Sequence, residues 1–474
     1  MKRHLFFCTA AAAALACSLS FAQAVAERPA AAQVDGIFAR WTASTPGCAV
    51  GVAVAGAPVL ERAYGMANLA DDVPNSAETI FEAGSVSKQF TAAAVLLLAR
   101  DGKLSLDDPV RKYLPELPAY AEYGVPLTIR HMLTHTSGLR DWGELAGIAG
   151  WPRGSRVHTH DHVLDIASRQ RALNFTPGTN WSYSNTGYNL AAIIVSRVSG
   201  QPFAEFSQER IFKPLGMTRT SWRDDYTRVV RHRAIAYEPS AGGYREEMPF
   251  ENVHGNGGLL TTVGDLLRWN ENFVSPKVGD QAFLADEQTP GHFNDGRPHD
   301  YALGLYVRTY RGVREVSHSG ATAGYRAFLA RYPDQRLSVA VLCNAASANP
   351  TQYAHAVATA YAGSAFTATE PSPAAGGRAA AAAPFSPDAA DLPSYPGRYT
   401  NDEAETELTI ALDSGALVVK RRPGTVLAMH ATGKDAFMVP SLGAVTFRRD
   451  GRGEVTGFSL KLDRVWDLRF QRRP

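Results

Sequence analysis

Two groups of apolar, strand-like runs stand far apart in this chain, and that separation leaves few ways to close a sheet. Near the front, C-A-V-G-V-A-V (Cys48–Val54) and Val59–Tyr64 are joined through A-G-A-P, a hairpin signal. Comparable runs return only at Gly304–Tyr310, Val313–Ser317, Arg326–Tyr332 and Leu337–Leu342, followed by a helical stretch over 352–361. Residues 101–290 read mostly as helix and loop, punctuated by Pro, Gly and Asn. Strands at both ends with helices between them predict one mainly antiparallel sheet, flanked by helices and carrying an inserted helical lobe. The fold class is therefore α/β, in the α+β sense.

With 474 residues the chain has room for a second domain. Residues 366–392 are low in complexity and rich in Pro, Gly and Ala, which reads as a linker. Beyond it, short alternating runs at Glu407–Ala411, Leu417–Lys420, Val426–His430, Phe437–Val439, Val445–Phe447, Phe458–Leu462 and Val465–Phe470 are separated by turn residues. That pattern predicts an all-β meander over 393–474, a small barrel or half-barrel.

At the other end, M-K-R-H, an alanine-rich apolar stretch and Ala22-Gln23-Ala24 read as a signal peptide over residues 1–24. The stretch is short for a bilayer, so the mature chain is expected to be exported, periplasmic or secreted, with no stable membrane span. A formal net charge of +2 and the lack of a long basic run argue against a nucleic-acid partner. Outside the signal only Cys48 and Cys343 remain, too few for a zinc site. They sit at the start of one strand-like run and the end of another, so a disulfide and two buried thiols are both open.

Three short motifs can carry chemistry. In F-E-A-G-S-V-S-K-Q-F, helical spacing puts Lys88 on the face of Ser85, three residues away, while Ser87 points elsewhere. A serine hydroxyl needs a proton acceptor, and a lysine buried by the apolar helix that follows can serve. Taken alone, the stretch is equally an ordinary helix start. Tyr183-Ser184-Asn185 lies in a turn-rich segment before the apolar helix L-A-A-I-I-V, where a phenol can relay protons and an amide can hold a carbonyl. V-S-H-S-G-A at 316–321 offers small residues at a strand edge, with His318 as a donor that attracts a carboxylate when protonated.

S-x-x-K, Y-x-N and H-S-G in this order resemble the serine penicillin-recognising hydrolases. The nearest branch holds class C β-lactamases, D,D-carboxypeptidases, D-aminopeptidases and related esterases. L-T-I-R-H-M-L-T-H-T-S-G-L-R at 127–140, P-L-G-M-T at 214–218 and G-N-G-G-L-L-T-T-V-G-D-L-L-R-W at 255–269 support the resemblance. It implies a β-lactamase/transpeptidase-like catalytic domain over 27–365, with no cofactor and no metal. Ser85 would be the acylated nucleophile, Lys88 its proton acceptor and Tyr183 the proton shuttle. Asn185, His318, Ser319, Gly320 and Ala321 would bind substrate, with the N–H groups of Ser85 and Ala321 as the oxyanion hole. Histidine at 318, where the β-lactamases of the branch carry lysine, turns the expectation toward a D-amino-acid peptidase. A β-lactamase, a small-ester esterase and a slowly turning over penicillin-binding sensor are the alternatives. The substrate would be a small peptide, ester or β-lactam; oligomeric state is left open. Y-P-G-R-Y at 395–399 makes the C-terminal meander resemble the lipocalin-like domains of some D-aminopeptidases, which can cap the site.

Two histidine motifs are expected to be bystanders. His135 in H-T-S-G-L reads as a structural turn, and His158-Thr159-His160-Asp161-His162 as a solvated polar loop rather than a metal site.

Overall fold

The computed structural model describes residues 30–368, 385 and 390–474; the expected signal peptide and most of the expected linker lie outside the described residues. The two-ended sheet is present. Its six strands are β1 (Cys48–Val54), β2 (Ala57–Tyr64), β3 (Tyr306–Tyr310), β4 (Val313–Thr322), β5 (Tyr325–Tyr332) and β6 (Leu337–Cys343). They run β3-β4-β5-β6-β1-β2, antiparallel throughout, so the front hairpin joins the back group where β1 meets β6. There Cys48 stands opposite Cys343 in register, and the two form a disulfide, which resolves the open alternative.

Both faces of the sheet are covered, which is why β1 reads as a continuous apolar run. Cys48, Val50 and Val52 face the helix over 30–38 and α4 (Pro350–Ala362). The opposite face of β1 is built from Ala49, Gly51 and Ala53, because α3 (Val263–Glu271) lies close. A Cβ on Gly51 would meet Leu267 at 3.0 Å and Val263 at 3.1 Å. The helical lobe packs on this side around α1 (Lys88–Arg100) and α2 (Asn185–Ser199). α1 is buried from Lys88 to Leu98, as its all-round apolar sequence requires.

One boundary differs from expectation and matters. β4 does not stop at Ser317 but continues to Thr322, because each residue from Val316 onward is paired with β5. β3 pairs with β4 only over Val313–Ser317. The other edge of β4, from His318 to Thr322, therefore faces the helical lobe.

The C-terminal meander forms nine antiparallel strands in a nearly closed, barrel-like sheet. Its two outermost strands, Thr425–Ala428 and His430–Gly433, are consecutive in sequence; they were expected as one run, Val426–His430. The interior is filled by Tyr395, Tyr399, Phe437, Phe447, Phe458 and Phe470 among aliphatic residues. This core continues into Trp142, Leu145, Ile148, Val163 and Ile166 of the helical lobe, so the two units share one apolar cluster. Among the described residues, no helix is long and apolar enough to cross a membrane.

Candidate active site

Ser85 sits in a single 3-10 turn, Gly84–Ser87, that leads directly into α1. The turn needs its glycine: Gly84 has φ +52°, and a Cβ there would stand 2.6 Å from the Ala321 nitrogen of β4. Gly320 answers from the other side, where a Cβ would lie 2.0 Å from the Ala83 carbonyl oxygen and 3.1 Å from the Ser85 nitrogen. Two glycines thus let the Ser85 turn and the β4 edge touch backbone to backbone.

Lys88 is fully buried, and its Nζ contacts three oxygens: Ser85 Oγ at 3.1 Å, Asn185 Oδ1 at 3.0 Å and the Asn256 carbonyl at 2.6 Å. Burial holds its pKa well below that of a free lysine, aided by the Arg464 guanidinium and opposed by Asp141. A neutral amine has two N–H groups and one lone pair. Asn185 Oδ1 and the Asn256 carbonyl can only accept, so they take the two N–H groups. The lone pair is left for the Ser85 hydroxyl. Ser87, by contrast, is buried and turned away, donating to the Gly84 carbonyl at 2.5 Å and accepting from the Leu259 N–H at 3.2 Å.

Tyr183 lies between these groups and the cleft. It lines the same cleft as Ser85, and burial raises its pKa above that of a free phenol while Ser85 and Arg464 pull it back. Lys88 Nζ is 4.8 Å from the centre of its ring. Asn185 opens α2, and its N–H donates to Asp141 Oδ2 at 2.8 Å, which fixes the Tyr183-Ser184-Asn185 turn against the lobe.

His318, Ser319, Gly320 and Ala321 line the cleft as a stretch of β4 edge, opposite Ser85. The cleft holds about 760 Å³. His318 is not the partly charged group expected from sequence. It is 2% exposed, and burial together with Lys88 lowers its pKa to about 3, so the ring is neutral at ordinary pH. Nδ1–H donates to the Ser319 carbonyl at 2.6 Å, which leaves Nε2 to accept from Tyr301 at 3.0 Å. It therefore attracts no carboxylate by charge.

His135 does lie in a turn, with φ +60°, but it is also a support. Its ring packs at a tilt against Tyr183 and Tyr301, with centroids 4.3 and 4.6 Å away, and its Nδ1 accepts the Ser184 N–H at 3.2 Å. The His158–His162 segment corrects another expectation: it is no solvated loop. His158 is buried against Trp142, His160 is hydrogen-bonded to the His254 carbonyl at 2.9 Å, and His162 caps the helix His160–Ser168 at Thr159. The three rings thus have different partners, although those of His158 and His162 also meet edge to face at 6.0 Å. Among the described residues, no group of three His, Cys, Asp or Glu side chains could hold a metal ion.

Sequence reasoning missed three contributors. Asn256 acts through its carbonyl, and although G-N-G-G-L-L was noticed, a backbone role leaves no side-chain signature. Asp141 directly follows the conspicuous L-T-H-T-S-G-L-R run and was not singled out; in the structure it caps the helix Trp142–Ile148. Arg464 gave no signal at all: it comes from the C-terminal domain and lines the same cleft as Ser85.

A family model described as Beta-lactamase matches residues 21–364. The chain belongs to the Beta-lactamase family. The Ser85–Lys88 contact lies inside the matched segment. Among its relatives, Penicillin-binding protein 4* of Bacillus subtilis (strain 168) is 30% identical over 316 residues, which are 62% of this chain and 67% of that protein. A D-aminopeptidase of Gluconobacter oxydans (strain 621H) is 30% identical over 316 residues, 66% of this chain and 59% of its own length. The chain thus spans about three fifths to two thirds of the curated relatives it matches. The fold is shared with the D-amino acid amidase from Ochrobactrum anthropi SV3, solved with L-phenylalanine amide. The TM-score is 0.60 at 23% identity, covering 71% of this chain and 99% of the amidase.

Proposed function

We propose that the protein is exported and hydrolyses amide bonds of peptides containing D-amino acids through an acyl-enzyme at Ser85. The observation that carries this reading is the filled coordination of Lys88: two acceptors on its N–H groups and Ser85 Oγ on the third side. As Ser85 Oγ bonds to the substrate carbonyl carbon, its proton passes to Lys88. The carbonyl oxygen becomes an oxyanion beside the Ser85 and Ala321 N–H groups. Tyr183 delivers a proton to the leaving amine, the C–N bond breaks, and the same groups then activate the water that releases the acid and frees Ser85.

The unpaired edge of β4 suits an extended peptide, which can add to it as a further strand. The names of the relatives, D-aminopeptidase and penicillin-binding protein, support D-amino acids in that peptide. Arg153, Arg326 and Arg464 line the cleft and favour a substrate with a free carboxylate, as a carboxypeptidase would use. The neutral His318 weighs against a β-lactamase that holds the drug's carboxylate at this position. The Cys48–Cys343 bond accords with an oxidising compartment.

A panel of D-alanyl peptides, D-amino acid amides, a chromogenic cephalosporin and p-nitrophenyl esters tests the proposal. Sustained turnover is expected on the D-peptides, abolished in Ser85→Ala and retained in a folded Ser87→Ala. A burst of product without steady turnover on any substrate would make the protein a sensor instead.

A further inference from the structure

The catalytic domain does not supply every charge around its own nucleophile. Between the barrel strands Val455–Lys461 and Leu468–Arg472, the chain crosses back to the helical lobe. Its backbone is pinned on both sides of Arg464. The Arg464 N–H donates to Glu144 Oε2 at 3.0 Å, and the Arg464 carbonyl accepts from the Asp141 N–H at 3.3 Å and from Asn174 Nδ2 at 3.0 Å. The Trp466 N–H returns a bond to Asn174 Oδ1 at 2.8 Å, and Arg140 Nη2 holds the Trp466 carbonyl at 3.2 Å. The Trp466 ring packs 5.3 Å from Phe175.

So anchored, Arg464 extends into the cleft. Its Cζ lies 4.8 Å from the centre of the Tyr183 ring, and Nη1 is 3.9 Å from Asp141 Oδ2. That same carboxylate oxygen accepts the Asn185 N–H, so one aspartate ties the arginine to the turn that presents Tyr183 and Asn185.

We propose that Arg464 is a positioning residue of the catalytic centre: laid over Tyr183 by the docked β domain, its guanidinium holds a positive charge beside the Ser85–Lys88–Tyr183 cluster. The inference rests on the hydrolase reading given above. A fixed cation disfavours the ammonium form of Lys88 and favours the phenolate form of Tyr183, the two states that accept a proton. Arg153 acts in the same sense on Lys88, and Asp141 acts against both. His135 and His318, which also face Lys88, have their pKa values lowered by burial and are neutral. Tyr188 and Tyr306, packed around Tyr183, have theirs raised by burial and are uncharged. Glu144, under the Arg464 backbone, has its pKa raised by burial to about 7. Arg464 and Lys88 stand at equal distances from the same ring centre, hence within about 10 Å of each other. At that separation the interaction amounts to roughly one pH unit.

The test is the pH dependence of kcat/KM for p-nitrophenyl acetate, an uncharged substrate, in the full chain and its Arg464→Gln and Arg464→Lys variants. Activity requires neutral Lys88 and so rises with pH through its pKa. In Arg464→Gln that rise is expected to move up by roughly one unit, with about tenfold less activity on its acid side. Arg464→Lys is expected to keep the wild-type midpoint. An unmoved midpoint in Arg464→Gln, with activity lost only on carboxylate-bearing peptides, would make Arg464 a substrate anchor and overturn the proposal. Equal losses in both variants with no shift would reduce it to packing and overturn the proposal as well. Ser85→Ala separates the two readings. Hydrolysis surviving there refutes the hydrolase reading and this inference with it, whereas a dead Ser85→Ala beside an unshifted Arg464→Gln refutes only the role of Arg464.

Discussion

Gly320→Ala probes the backbone contact on which the proposed oxyanion hole depends. The added Cβ would lie 2.0 Å from the Ala83 carbonyl oxygen. An ordinary carbon–oxygen contact is about 3.3 Å, so β4 and the Ser85 turn must part by roughly 1 Å. Catalytic donors tolerate about 0.5 Å of displacement. One of the two N–H donors would therefore be lost to the oxyanion, a cost of about 3 kcal/mol, or 10²–10³ in kcat. The same overlap is expected to lower stability by about 1–3 kcal/mol. Stopped-flow acylation with a p-nitrophenyl ester reads the first effect, and urea unfolding reads the second. The order of the two matters: the acylation rate should collapse in a protein that is still folded. A folded Gly320→Ala that acylates within about threefold of wild type would refute the assignment of the Ser85 and Ala321 N–H groups as the hole.

Two further substitutions test the frame around the site. Glu82 and Arg223 form a pair at most 1% exposed, with contacts of 2.8 and 3.1 Å. Glu82→Gln leaves the guanidinium buried without its counter-charge, an expected loss of about 3–5 kcal/mol in urea unfolding. Glu144 has its pKa raised by burial from 4.5 to about 7, with the Asp141 charge adding to the effect. A carboxyl whose folded pKa is raised contributes most below its unfolded value and loses that contribution as pH rises through about 7. Between pH 5 and 8 the wild type is expected to lose about 1–2 kcal/mol, after solvent screening, that Glu144→Gln does not lose. Urea midpoints at the two pH values check it.

The sheet was legible because its strands are buried on both faces and so announce themselves as apolar runs. The Ser85–Lys88 pairing was legible because both residues lie within one turn, where helical spacing decides which serine faces the lysine. What failed to show in sequence depended on distant partners. β4 was cut short at Ser317 because H-S-G-A looks like loop, and only its pairing with β5 keeps it extended. His318 was read as partly charged and able to attract a carboxylate, because burial and the nearness of Lys88 are facts of the assembled cleft. Asp463-Arg464 fell in the gap between the expected runs Phe458–Leu462 and Val465–Phe470, and nothing local marks a residue whose partners are Asp141, Glu144 and Tyr183.

The meeting of β1 with β6 sets the order in which the molecule can become itself. The disulfide partners on these strands are separated by 295 positions, so the front hairpin is made long before the strand that covers its edge. Closing so long a loop costs entropy before any contact repays it, and such non-local topologies assemble slowly. During synthesis β1 waits as an exposed edge, the kind of surface that pairs with other chains. A polypeptide interrupted anywhere in the helical middle is consequently not half an enzyme. It is an uncovered hairpin with a lobe that has nothing to pack on, a substrate for chaperones and proteases.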